Sequence, residues 1–148
     1  MRAVLQRVTR ASVTIDGKVT AQIGQGYLIL LGVGATDTPA EAERLWRKIF
    51  ALRLMEDDEG KTNRSLADVG GSVLVVSQFT LYADCRRGRR PSFTAAGDPQ
   101  NANELYEYFV SLARQDVPRV STGTFAADMK VELVNDGPFT IVLDTCDL

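Results

Sequence analysis

The sequence contains no histidine. That absence removes Ser-His-Asp triads and Cys-His pairs, and with them the usual general base near neutral pH. Only two cysteines occur, Cys85 and Cys146. They are too few for a disulfide framework and, without imidazole, for a Cys-rich zinc site. Neither charge is in large excess: 17 Lys and Arg stand against 19 Asp and Glu, a net charge of −2. Contact with nucleic acid therefore requires a local patch. The longest apolar run, Tyr27 to Val33, is far short of the roughly 18 residues that span a membrane. The first sixteen residues, MRAVLQRVTRASVTID, lack the continuous apolar stretch of a secretory signal and read as a charged strand. The expectation is a soluble, cytoplasmic protein that needs no metal and no cofactor. Any catalysis must rest on hydroxyls, backbone amides, carboxylates, lysine or the substrate itself.

What is present is ordinary globular composition, 45% apolar and 24% charged over 148 residues, enough for one domain, 1–148, with its own core. Val13 and Ile15 alternate with polar residues, Asp16-Gly17 supplies a turn, and Val19, Ala21 and Ile23 alternate again, which is a strong hairpin signal. Tyr27 to Val33 is apolar without alternation, as in a strand buried on both faces. Thr38, Pro39 and Glu41 form a capping box with proline in the first turn. Ala42, Leu45, Trp46, Ile49 and Phe50 then mark one helical face, leaving Arg44, Arg47 and Lys48 to solvent.

Leu52 to Met55 reads as a short strand running into the acidic turn Glu56 to Gly60, and Ser72 to Leu81 as another strand. Asp84 to Gly97 is Arg-rich loop, and Asp98-Pro99 opens a second helix with the stripe Ala102, Leu105, Tyr106 and Phe109. Met129 to Val134 and Phe139 to Leu143 read as two strands flanking Asn135 to Pro138. Strands at both ends with helices between them predict an α/β domain. Two packed, mixed or mainly antiparallel sheets would form a barrel-like pair, with two helices on one face, a three-layer ββα arrangement.

Several motifs lack their required context. Gly60-Lys61-Thr62 imitates the end of a phosphate loop, but Met55 stands where the first glycine belongs. Gly32-Val33-Gly34 resembles a dinucleotide fingerprint, but Asp37 replaces the third glycine. Glu56 to Glu59 are contiguous, unlike the alternating ligands of a calcium loop, and fit a solvated turn. Cys85 next to Arg86 and Arg87 has cationic neighbours that favour a thiolate, but no histidine partner.

Three segments keep a chemical reading. Ser77-Gln78-Phe79-Thr80 ends a buried strand with polar side chains. It can either cap local backbone or present hydroxyls and free amides to a substrate carbonyl. Arg86, Arg87, Arg89 and Arg90 around Gly88 form the densest basic run, either a solubilising loop or a phosphate-binding patch. Asn135-Asp136-Gly137 suits a turn, yet Pro138 removes a ladder donor there. Sequence alone favours a trans bond before it.

Taken together and in order, Ser77 to Thr80 and Asn135 to Pro138 resemble the D-aminoacyl-tRNA deacylases, as do Gln6 to Val13, Arg90 to Phe93 and Thr122 to Met129. The resemblance covers essentially the whole chain. It implies hydrolysis of the ester joining a D-amino acid, or glycine, to the 3′-terminal adenosine of tRNA. It implies a homodimer in which a cis Gly137-Pro138 peptide projects into the partner subunit's active site, supported by Arg7. It also suggests Met129 and Ala102 as pocket neighbours, although core roles suit both. On this reading Ser77, Gln78, Phe79 and Thr80 form the catalytic segment, and Gly137 and Pro138 exclude L-aminoacyl substrates. The arginine run contacts tRNA. Thr80 as an unassisted nucleophile is weak, so positioning with help from the ribose 2′-hydroxyl is preferred. Two other readings are a Thr-nucleophile amidohydrolase or esterase on small D-substrates, and a non-catalytic tRNA-binding module.

Overall fold

The computed structural model describes residues 1–148. Eight strands and two helices follow in the order β1 (Arg2–Ile15), β2 (Lys18–Ile23), β3 (Gly26–Gly32), α1 (Pro39–Ala51), β4 (Met55–Glu56), β5 (Thr62–Arg64), β6 (Ser72–Ser77), α2 (Pro99–Asp116), β7 (Val120–Thr122) and β8 (Lys130–Asp144). A 3-10 turn, Phe79–Tyr82, follows β6. Six strands form one mixed sheet, with path β2-β1-β3-β6-β7 and β8 on the other edge of β1. β4 and β5 make a separate small hairpin.

β1 is long enough to serve two layers. Its first half pairs with β3, from Arg2 to Val8, and its second half with β2, from Ala11 to Ile15. β8 runs antiparallel along nearly all of it. The Asp16-Gly17 turn has positive φ at both residues, 48° and 75°, as the expected hairpin requires. The sheet curls so that its two ends face each other, and the Ser121 hydroxyl on β7 donates to the Gln22 carbonyl on β2 at 3.2 Å.

The curl yields two cores. Ala3, Leu5, Tyr27, Ile29, Leu31, Val73 and Val75 face the helices. Val8, Ala11, Val13, Ile23, Leu28, Leu74 and Val76 fill the space between the sheet layers. β3 and β6 are buried on both faces, which is why neither alternates. The helices supply Ala42, Leu45, Trp46 and Ile49 from α1, and Ala102, Leu105, Tyr106, Phe109, Val110 and Ala113 from α2. Trp46 meets Phe109 edge-on at 5.6 Å, a geometry that adds about 0.5–1.5 kcal/mol beyond area burial. The capping box at Thr38 is formed with both of its bonds, and Asp98 caps α2 through the Gln100 and Asn101 amides.

Three local expectations change, and two short strands are added. Leu52 to Leu54 is irregular, and the strand there is Met55–Glu56, because Leu52 closes α1 through Ile49. β6 stops at Ser77 instead of Leu81, since Gln78 leaves the sheet and caps the 3-10 turn. β5 and β7 are too short and polar to carry a periodic signal. Lys130–Asp144 is one strand, not two. Both of its halves pair with β1 in the same antiparallel sense, so Asn135 to Pro138 cannot be a hairpin turn.

Two buried tyrosines tie stability to alkaline pH. Burial, opposed by the Leu54 backbone N–H and by Arg7, pushes Tyr27 up to about 12, and burial also raises Tyr106. A folded pKa above the unfolded one gives stability that is complete below about pH 10 and lost as pH rises through the folded value. Urea midpoints should fall between about pH 10 and 12, and Tyr27→Phe should flatten part of that decline.

Candidate active site

The catalytic-segment candidates sit where β6 ends. Gln78 still donates its backbone N–H to the Leu31 carbonyl at 2.7 Å, and the chain then turns into the 3-10 segment. The turn's first internal bond runs from the Leu81 N–H to the Gln78 carbonyl at 3.2 Å. The Phe79 and Thr80 amides precede it and lie at positions with no partner inside the turn. Phe79 and Thr80 are exposed, while Ser77 and Gln78 are half-buried. The Gln78 side-chain amide donates to the Thr80 hydroxyl oxygen. No basic side chain bonds to that hydroxyl, so nothing there activates it as a nucleophile.

The arginine run occupies a closed loop. Asp84 and Ser92 exchange backbone bonds at 2.7 and 3.0 Å, with Gly88 at φ 70° near the tip. Arg86 is committed to Asp84 through two contacts of 2.8 and 2.6 Å. The Arg86 guanidinium holds the Asp84 carboxyl well below the usual carboxylate range. Arg87, Arg89 and Arg90 are exposed and make no ion pair. As the loop returns, Phe93 packs edge-on against Phe79 at 5.0 Å, joining the cationic loop to the 3-10 turn.

Asp136 to Phe139 form a wide bulge. Gln6 pairs with Thr140 and Val8 with Asn135, so four residues of β8 stand opposite Arg7 alone. Proline is tolerated in a bulge because no ladder bond is asked of it. The Gly137-Pro138 peptide is cis, and both residues are exposed. Asn135 staples the base of the bulge: its side-chain oxygen accepts the Phe139 N–H at 2.5 Å, and its amide reaches the Thr140 hydroxyl at 3.0 Å. Gly137 sits at φ 141°, where a Cβ would lie 3.0 Å from the Phe139 nitrogen.

Arg7 fills the gap that the bulge leaves. It is 3% exposed. Its guanidinium donates to the Asp136 carbonyl at 2.9 Å, the Leu54 carbonyl at 2.8 Å and Glu56 at 3.0 Å. It also lies 5.0 Å from the Phe139 ring centroid. One side chain thus fixes the bulge to β1 and to the β4–β5 hairpin.

The remaining candidates are dispersed. Ala102 is buried in the helix-facing core. Met129 packs partly on the inter-layer core and so closely on Gly123 that a Cβ there would meet its sulfur at 2.6 Å. The catalytic segment and the bulge share no hydrogen bond or ion pair within the chain. Each is held through β1, by Arg2 and Arg7 respectively. Those anchors lie five positions apart on the strand, about 17 Å. A cleft of about 910 Å³ opens at the opposite end of β6 and β7, between Arg10, Gln22, Ser72, Arg119, Ser121 and Glu132. It contains none of the candidates. No group of His, Cys, Asp and Glu is arranged to hold a metal ion, and the Asp57 carboxylate is spent on the Glu59 and Lys61 amides of its own turn.

The anchoring makes a measurable difference between Arg7 and its partner. Arg7→Met leaves the Leu54 and Asp136 carbonyls without charged donors, at about 1–3 kcal/mol each. Urea unfolding should show a loss of about 2–5 kcal/mol. Glu56→Gln should cost less than about 1 kcal/mol, because Glu56 is half-exposed.

Known proteins share both the sequence and the fold. Residues 4–144 match the family described as D-Tyr-tRNA(Tyr) deacylase. A D-aminoacyl-tRNA deacylase of Koribacter versatilis (strain Ellin345) is 58% identical over 145 residues, covering 98% of this chain and 97% of that protein. One from Fervidobacterium nodosum is 54% identical over the same shares. Among solved structures, a c-Myc DNA Unwinding Element Binding Protein matches with a TM-score of 0.92 at 41% identity, covering 97% of this chain and 98% of that one. A probable eukaryotic D-amino acid tRNA deacylase matches with a TM-score of 0.82, at 18% identity, over 96% and 97% of the two chains, a likeness of fold. The chain belongs to the D-Tyr-tRNA(Tyr) deacylase family.

Proposed function

We propose that this protein is a D-aminoacyl-tRNA deacylase. It hydrolyses the ester between a D-amino acid, or glycine, and the terminal ribose of tRNA, and it works in the cytoplasm. The observation that carries this is near-full-length identity of 58% to a D-aminoacyl-tRNA deacylase, in a chain that also presents both motif segments at its surface. The Phe79 and Thr80 amides receive the substrate carbonyl, with Ser77 and Gln78 positioning the amino acid and ribose. An aminoacyl ester is already reactive, so orientation and a neighbouring 2′-hydroxyl replace the missing imidazole. Thr80 positions and does not attack.

Chiral selection belongs to Gly137 and Pro138 of the partner subunit in a homodimer. The exposure of the bulge and its separation from Ser77–Thr80 within one chain support this arrangement. Their carbonyls grip the α-ammonium, and the rigid backbone leaves no space for an L side chain, a rejection by steric conflict. Met129 lines the pocket from the loop before β8. Ala102 acts from behind it as a core residue.

Incubation with D-Tyr-tRNA, L-Tyr-tRNA, Gly-tRNA and a free D-Tyr ester, with and without EDTA, tests the reading. Amino acid should be released from D-Tyr-tRNA and Gly-tRNA only, unaffected by EDTA, and with no rate step near pH 6.5 from an enzyme imidazole. Release from the free ester alone selects a small-substrate esterase, and tRNA binding without release selects a binding module. A covalent aminoacyl-Thr80 species would overturn the positioning role.

The arginine loop has its own test. Replacing Arg87, Arg89 and Arg90 together by Ser should raise KM for charged tRNA. It should also lower the slope of log affinity against log salt, by about 0.7–0.9 for each phosphate no longer neutralised. Cleavage of D-Tyr-adenosine, which has no phosphate backbone, should be unchanged.

A further inference from the structure

The 3-10 turn Phe79–Tyr82 is too short to hold its own shape, because its few internal bonds have poor geometry. It is fixed from outside. The Arg2 guanidinium donates to the Leu81 carbonyl at 3.0 Å and to Asp144 at 2.7 Å, and lies over the Tyr82 ring, 4.5 Å from its centroid. The Tyr82 hydroxyl reaches Asp37 at 3.2 Å. Asp37 in turn accepts the Gly34 N–H at 2.5 Å and the Met1 ammonium at 2.7 Å.

Underneath lies Gly32-Val33-Gly34, the glycine pair that fails as a dinucleotide fingerprint. A Cβ at Gly34 would meet the Tyr82 ring at 2.8 Å. One at Gly32 would meet the Gln78 carbonyl oxygen and the Leu81 Cβ at 3.1 Å. The two glycines form a seat into which the turn drops. Arg2, Tyr82 and Asp37 hold it there from three sides.

We propose that Arg2, Tyr82 and Asp37, on the Gly32–Gly34 seat, are positioning residues that set the direction of the Phe79 and Thr80 amides and so the rate of deacylation. This rests on the assignment of Ser77–Thr80 as the active segment. None of the three touches the substrate. They act through the turn, where a displacement of about 1 Å costs up to about 100-fold in rate. Arg2 is suited to the role because its planar fork bonds a carbonyl and a carboxylate while stacking on an aromatic face, which a lysine cannot do.

The test uses full-length Arg2→Met, Arg2→Lys and Tyr82→Phe proteins on D-Tyr-tRNA. Amide exchange by NMR is read at Leu81 and Ala83, which close the turn, and at Leu5 and Gln6 of β1 as internal reference. Arg2→Met should lower kcat by about 10- to 100-fold with KM held within about twofold. Exchange should quicken at Leu81 and Ala83 but not in β1. Arg2→Lys should recover only part of the rate. Tyr82→Phe, which keeps the ring and removes one hydroxyl, should show a smaller change of the same kind.

Wild-type kcat in Arg2→Met despite faster exchange in the turn overturns the proposal. So does a loss of kcat without faster exchange there, or with equal quickening in β1, which marks general destabilisation. Gln78→Ala and Thr80→Ala separate the two levels. If both deacylate at the wild-type rate, the active-segment assignment falls and takes this inference with it. If they are impaired while Arg2→Met and Tyr82→Phe are not, only the positioning role falls.

Discussion

Both candidate site segments in this fold hang from the pairing of β1 with β8. The two strands run antiparallel almost end to end, while the other edge of β1 is shared between β3 and β2. A strand that pairs with two neighbours in succession must bend between them, and the bend divides the protein into a helix-covered layer and an inter-sheet layer. β8 follows the bend by accumulating four residues opposite one. The exposed Gly137-Pro138 peptide is therefore a product of how the barrel-like sheet turns its corner, not an ornament added to a hairpin. Bulges serve such corners because they re-aim backbone without ending the ladder.

Two arginines on that strand tie the fold to the two candidate segments. Arg7, buried, spans the hole opened by the bulge. Arg2, at the start of the strand, holds the turn that follows β6. Both bond backbone carbonyls and both lie over an aromatic ring, Phe139 and Tyr82 respectively. A guanidinium does this well because it is flat, always charged and weakly hydrated. The same residue type in the Arg87–Arg90 segment is left exposed. Arginine thus braces the interior at two places and stands free at the surface at a third, in one small protein of net charge −2.

Lack of histidine becomes intelligible in this setting. A site made of free amides, hydroxyls and carbonyls holds a substrate by shape and dipoles, and works best on a bond that needs little acid–base help. Backbone groups also ignore side-chain identity while remaining sensitive to chirality, because the position of Cβ relative to the backbone is what distinguishes enantiomers. Under the proposed function, the sheet supplies the stiffness that such selection needs.

The amino-acid sequence by itself determined the elements whose signals are local. These were the Asp16-Gly17 hairpin, the Thr38 and Asp98 caps, the apolar stripes of both helices and the doubly buried β3. It also marked Ser77–Thr80, the arginine run and Asn135–Pro138 as departures from core patterning. Tertiary structure decided what those departures were. Strand β6 ends at Ser77 because the residues after it drop as a turn onto Gly32 and Gly34 and are held there by Arg2, partners more than forty positions earlier that no window around Ser77 contains. The Asn135–Pro138 segment is a bulge and not a turn because both flanks pair with one distant strand. Arg7 and the Gly32-Val33-Gly34 pair likewise acquire meaning only from residues more than forty positions away. Pattern along the chain reports which face a residue prefers. Only long-range pairing fixes which faces meet.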